Sequence, residues 1–150
     1  MQFEDLPKWL QLKVEPQCEL SIECPDGWRD LLIGTLIRIH SLDPSFTLSF
    51  IKEKFGVLDI HIHISWMDYD QPYDDYIDQL EPEQREKNQQ IWDLLDRAGT
   101  KSTNICDECG ISPAERSTWN GWWIRALCDK HGAAVAESAR QLEMEKGQIH

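Results

Sequence analysis

The apolar positions of this chain follow two different rhythms. Between 27 and 41, Trp28, Leu31, Leu32, Thr35, Leu36 and Ile39 recur at intervals of three and four, which draws one stripe along an α-helix. Asp26 stands where a carboxylate can accept the free amides of the first turn, and Asp43-Pro44 supplies a stop. Ile33 and Ile37 widen the apolar surface, which predicts a helix buried on more than one side. From 46 to 65 the period changes to two. Phe46, Leu48 and Phe50, and then Leu58, Ile60, Ile62 and Ile64, alternate with polar residues, the mark of two half-buried strands. Glu53-Lys54-Phe55-Gly56 provides the turn, with Gly56 free to take positive φ.

The flanks are less regular. Pro7, Pro16 and Pro25 interrupt the first 25 residues, leaving room for a short helix over 6–12 and an extended piece over 19–23. Downstream, Pro82 suits the first turn of a helix whose apolar side is Ile91, Leu94, Leu95 and Ala98, with Gly99 as its end. Its first half, 83–90, reads as polar all round and solvated. The pattern as a whole predicts an α+β fold: a β-hairpin packed on helices, over an acidic region 1–100, followed by a module with a C-terminal helix over 101–150, the two forming one compact unit.

Charge changes the picture in one stretch. The 150-residue chain carries 15 Lys and Arg against 27 Asp and Glu, a net of −12. From 68 to 83 there are seven acids and no Lys or Arg, with all three tyrosines of the chain interleaved. Asp68, Tyr69, Asp70, Tyr73, Asp74, Asp75, Tyr76 and Asp78 are therefore candidate partner-binding residues. Spaced carboxylates imitate nucleic-acid phosphates and attract a basic protein, including one that itself binds nucleic acid, while tyrosines add contact area. The plainer alternative is a solvated acidic loop. The same charge repels free nucleic acid from most of the surface.

The cysteines carry the sharpest signal. Cys106-Asp107-Glu108-Cys109-Gly110 is a Cys-x-x-Cys-Gly knuckle, and Cys128-Asp129-Lys130-His131 is a Cys-x-x-His pair eighteen residues further on. Two intervening residues let a chain wrap an ion with both donors pointing inward, and four thiolate and imidazole donors are what tetrahedral Zn²⁺ takes. With all four positions filled by protein, the expected role of zinc is structural. Gly132-Ala133-Ala134-Val135-Ala136 then favours a helix, so a knuckle, a hairpin and a helix bearing the second pair predict a treble-clef or zinc-ribbon-like module. Five cysteines, an odd number, favour a reducing cytoplasm over a disulfide scaffold. Trp119, Trp122 and Trp123 between the pairs are expected to cover the small metal core. The alternative is that they stack on bases beside Arg125.

Weaker constellations remain. His61 and His63 share one face of a strand and could bind a second metal together with Cys18 or Cys24, or serve a small metal-dependent hydrolase. No nucleophile elbow, phosphate loop or His-Glu-x-x-His motif is present, which argues against an enzyme. The acidic start of the chain lacks the order of a signal peptide, and the longest apolar run, 31–37, is too short to span a bilayer.

Taken together, Cys24-Pro25-Asp26-Gly27-Trp28, Ile51-Lys52-Glu53-Lys54-Phe55-Gly56-Val57-Leu58, the Cys106–Gly110 knuckle and Gly121-Trp122-Trp123-Ile124-Arg125-Ala126-Leu127-Cys128-Asp129-Lys130-His131 resemble a group of short, uncharacterised bacterial and phage-associated proteins. The resemblance implies the same four zinc ligands and supplies no activity to carry over. The chain departs from that group in its acidic insert and at Asp59, His61 and His63. A specialised role placed in those departures is that of a non-enzymatic inhibitor, of the anti-defence or immunity type, acting on a basic partner protein. A zinc-ribbon regulator that binds nucleic acid is the alternative.

Overall fold

The computed structural model describes residues 1–14 and 21–148. Among these lie α1 (Lys8–Gln11), β1 (Ser21–Glu23), α2 (Arg29–Leu42), β2 (Thr47–Lys54), β3 (Val57–His63), α3 (Tyr73–Ile77), α4 (Pro82–Ser102), β4 (Glu115–Ser117), β5 (Arg125–Leu127) and α5 (Asp129–Gln148). The fold is mixed α+β, as the two rhythms predict. Cys18 and the first two residues of the extended piece expected over 19–23 lie outside the described residues. Ser21–Glu23 does pair in parallel with β2, so the hairpin becomes a three-stranded sheet in the order β1-β2-β3.

The helical stripe buries as its spacing dictates. Trp28, Leu32, Leu36 and Ile39 are completely buried, and they join Leu48, Ile51, Leu58 and Ile91 in one core. Two expectations for α2 are corrected. Ile33 is partly buried against the core, but Ile37 is 52% exposed, so the apolar surface widens less than expected. The Asp26 carboxylate does not cap it; a short 3-10 turn over 26–28 intervenes, and Asp26 lies 2.8 Å from the Met1 amino group.

In the hairpin the alternation is broken once. A bulge between Leu48 and Phe50 shifts the register, so that Leu48 faces Ile62 but Ile51 faces Ile60. Phe50 therefore turns to the outer face and stacks on His61 at 3.8 Å, where simple alternation would bury it. The turn is tighter than glycine alone requires, since both Phe55 (φ 52°) and Gly56 (φ 75°) lie in the left-handed region. Asp43, 1% exposed, closes the open end of the hairpin. Its carboxylate accepts the Ser45 amide at 3.1 Å, the Ser65 amide at 2.7 Å and the Ser65 hydroxyl at 2.6 Å.

α4 runs past Gly99 to Ser102, which corrects the expected stop. Gly99 serves close packing instead: a Cβ there would meet Val57 Cγ1 at 3.4 Å and the Leu58 carbonyl at 3.5 Å. One turn on, the Ser102 hydroxyl accepts the Leu58 amide at 2.8 Å. The first half of α4 is not solvated all round either, because Asn88 is 1% exposed and reaches Tyr73.

Candidate metal centre

The knuckle at 106–110 forms because Gly110, at φ 76°, lets the chain reverse: its amide donates to the Cys106 carbonyl at 2.9 Å, and the Cys106 amide to Ile111 at 2.9 Å. The Asp107 amide donates to Ala126 at 2.8 Å, which fixes the knuckle against β5. β4 and β5 pair antiparallel, and β5 leads directly into α5. Cys128 sits at the head of that helix, where its carbonyl accepts the Gly132 amide at 2.8 Å, and His131 occupies the first turn.

This geometry brings all four sequence-predicted ligands together. One donor atom from each of Cys106, Cys109, Cys128 and His131 lies within 4.8 Å of every other. His131 Nδ1 is 3.4 Å from Cys106 Sγ and 3.2 Å from Cys128 Sγ, and the Cys109 and Cys128 sulfurs are 3.9 Å apart. A tetrahedral ion with metal–sulfur bonds of about 2.3 Å and metal–nitrogen bonds of about 2.0 Å needs edges of roughly 3.5–3.8 Å. The three edges of 3.2–3.9 Å lie close to that figure and no edge exceeds 4.8 Å, so the four residues could hold a metal ion.

The electrostatics suit a cation. Burial pushes the Cys106 thiol up, but the backbone amides of Cys128, Cys109 and Glu108 outweigh it and bring the thiol down to about 7. Cys109 goes the other way. The Ile111 amide lowers it, while desolvation and the sulfurs of Cys106 and Cys128 together raise it above its ordinary value. Thiols crowded in this way resist sharing negative charge until a cation joins them.

Residues that the ligand spacing did not point to complete the site. Glu108 Oε2 lies 3.5 Å from His131 Nε2, which orients the ring with Nδ1 toward the sulfurs. Asp107, 2% exposed, accepts both Nε (3.1 Å) and an Nη (2.6 Å) of Arg125, and that same nitrogen reaches Glu108 at 3.1 Å. Position alone, between the two cysteines, was the signal for Asp107 and Glu108. The centre is also joined to the sheet-and-helix layer: the Gly27 amide donates to the Asp107 carbonyl at 2.8 Å, and Trp28 Nε1 to the Ile105 carbonyl at 2.9 Å.

The tryptophans divide. Trp119 packs beside the metal site, its ring pressed against Gly132, the residue after His131, and its Nε1 donating to Glu115 at 3.1 Å. Trp122 and Trp123 do not: they are 78% and 46% exposed and stack on each other at 6.0 Å. Asn120 Oδ1 accepts both of their amides, which fixes the loop that carries them. Arg125, grouped with them from sequence, pairs with Asp107 and Glu108 while its guanidinium lies over the Trp123 ring, 5.5 Å from the centroid.

Of the remaining candidates, His61 is paired with Asp59 at 3.0 Å, and His63 lies against Tyr69. Among the described residues neither belongs to a second metal-competent group. Cys24 is buried, and burial pushes its thiol up to about 12. In the acidic stretch Asp70, Asp74, Asp75 and Asp78 are exposed, Tyr69 and Tyr73 are half exposed, and Asp68 and Tyr76 are half-buried. No helix is long and apolar enough to cross a membrane among the described residues.

No protein-family model, curated protein or solved structure matches the chain. The resemblance to short bacterial and phage-associated proteins rests on its sequence motifs alone.

Proposed function

We propose that this chain is a non-enzymatic binding protein, stabilised by one structural zinc ion, that inhibits a basic partner protein by covering its basic site with the acidic 68–78 surface. The observation that carries this reading is the state of those charges. Asp70, Asp74, Asp75 and Asp78 stand exposed on and beside α3, and no Lys, Arg or His among the described residues pairs with their carboxylates. Unneutralised charge on an ordered surface steers association with an opposite surface. A reducing, cytoplasmic setting goes with the free thiols.

Three sulfurs and one imidazole form a soft, four-donor, closed set, which favours zinc over harder ions and leaves no position for substrate. The order of knuckle, hairpin β4–β5 and helix α5 supports the treble-clef reading. Protein purified without chelator should carry one zinc per chain. Stripping it should melt 104–131, because such a site contributes on the order of 10 kcal/mol to folding.

The test of function is affinity capture from the native host with the wild type and with a variant carrying Asp70, Asp74, Asp75 and Asp78 all changed to Asn. A basic protein retained by the wild type, released by moderate salt and missed by the variant is the expected result. Equal retention by both proteins would sink the reading. A second reading, nucleic-acid binding, is favoured by the exposed Trp122–Trp123 stack, and it predicts a shift of labelled oligonucleotides at low salt. The net charge of −12 argues against it.

A further inference from the structure

The donors of the metal centre are not equally protected. Cys106 is completely buried, Cys128 is half-buried and Cys109 is exposed. The Cys106 sulfur is also held by the backbone amides of Cys128, Cys109 and Glu108, whereas the amide that reaches the Cys109 sulfur is that of Ile111. A small solute therefore meets the centre first at Cys109. That sulfur stands 3.9 Å from the sulfur of Cys128. A disulfide needs about 2.05 Å, and side-chain rotation can close the difference.

α5 depends on this corner. Gly132, the residue after His131, is its one buried residue among those described. From Gln141 to Gln148 every residue is exposed. The helix is thus fastened at its head, by Cys128 and His131 and by the Trp119 ring against Gly132.

We propose that this corner is a modification site for hydrogen peroxide: oxidation joins Cys109 to Cys128, expels the metal and loosens α5 at His131. The inference rests on zinc occupying the four donors. The Cys109 thiolate attacks one peroxide oxygen, so that an S–O bond forms and the O–O bond breaks. The leaving hydroxide takes a proton and departs as water. Cys109 is then a sulfenic acid, oxidised by two electrons that the peroxide has received. The Cys128 thiolate attacks that sulfur, an S–S bond forms, the S–O bond breaks, and the second hydroxide takes a proton and leaves as water. Two thiolates, one hydrogen peroxide and two protons thus give one disulfide and two waters. Cys106 and His131 remain, and two donors do not hold an ion that takes four. Burial and its amide contacts keep Cys106 reduced. The disulfide still ties the knuckle to the head of α5, so reduction can rebuild the site.

The test uses the full chain, its zinc content measured by atomic absorption, exposed to hydrogen peroxide beside a chromophoric zinc indicator. Release of the bound zinc is expected, with a mass loss of two hydrogens and a Cys109–Cys128 crosslink on peptide mapping. Cys24, also buried, should remain a thiol. Hydrogen exchange should quicken in α5 and stay unchanged in α2, and dithiothreitol with added zinc should reverse the change. Cys109→His keeps four donors without the exposed thiol. It should release zinc at least about tenfold more slowly, since imidazole offers peroxide no thiolate. If that variant does not fold, the wild-type mapping still decides. Protein that holds no zinc at the outset overturns the zinc reading and the switch with it. Protein that holds zinc and keeps it through oxidation overturns the switch alone. So does zinc loss with Cys109 joined to Cys18, Cys24 or Cys106, or left as a sulfinic acid without a disulfide.

Discussion

Gly27→Ala should damage the metal centre, although Gly27 is not a ligand and is remote from the ligands in sequence. A Cβ at this position would stand 2.1 Å from the Cys106 carbonyl oxygen, 2.6 Å from the Asp107 carbonyl carbon and 2.7 Å from its oxygen. Ordinary contact is about 3.5–4.0 Å, so the turn at 26–28 and the knuckle must separate by at least about 1 Å. Every obstacle is backbone, so no side chain can swing aside. The separation stretches the Gly27 to Asp107 bond from 2.8 Å and the Trp28 to Ile105 bond from 2.9 Å. Leaving such donors poorly matched costs about 1–3 kcal/mol, and forced overpacking about 1–3 kcal/mol more. Gly27 is not in the left-handed region, so alanine adds no backbone strain. The stiffer unfolded chain returns only about 0.4–1 kcal/mol. A net loss of roughly 3 kcal/mol should appear in denaturant unfolding of the holoprotein. Because folding and metal binding are linked, the affinity read by competition with a chromophoric chelator should drop by about tenfold or more. A variant within about 0.5 kcal/mol of wild type, with unchanged metal affinity, would refute the close approach, since surface changes away from such features stay inside that range.

Other glycines should respond according to their surroundings. Nothing lies within 4 Å of a Cβ built on Gly34, in the middle of α2, so Gly34→Ala should stabilise by up to about 1 kcal/mol in the same assay. Gly132→Ala, whose Cβ would fall 2.5 Å from the Trp119 ring, should lose that gain and destabilise; equal gains at both sites would contradict the packing. Cys24 should resist alkylation in the native protein and react once the chain is unfolded. Burial raises its folded pKa, so the unfolded chain gives up this proton first and stability should fall as pH rises from 9.0 toward about 12. Cys24→Ala should flatten that alkaline slope in pH-dependent unfolding.

The parts read correctly from sequence are those in which periodicity or spacing is the physical cause. The stripe from Trp28 to Ile39 buries because a helix has one face, and the four metal donors converge because two paired spacings leave the chain few other shapes. What escaped depends on neighbours that sequence does not rank. The bulge before Phe50 inserts Ser49 without altering polarity, so alternation alone gives the wrong face. Gly99 looks like a helix end, yet it is the point where α4 needs no side chain beside β3. Trp122 and Trp123 look like core by residue type, but the loop fixed by Asn120 leaves them exposed. The ties among Asp107, Glu108, Arg125 and His131 were hidden because charge pairs separated by about twenty residues leave no periodic trace.

The buried carboxylate of Asp43 bears on how a partner would be met. It clasps the residues that lead into β2 and the segment after β3 at once, so the acidic stretch springs from a pinned root at Ser65 rather than from a swinging tether. Ordering that root is settled during folding, before any encounter, and docking need not supply it. Association should then slow sharply as ionic strength rises, with little change on cooling. Loosening the clasp should speed release of the partner and lengthen the conformational search, while leaving the number of displayed charges the same.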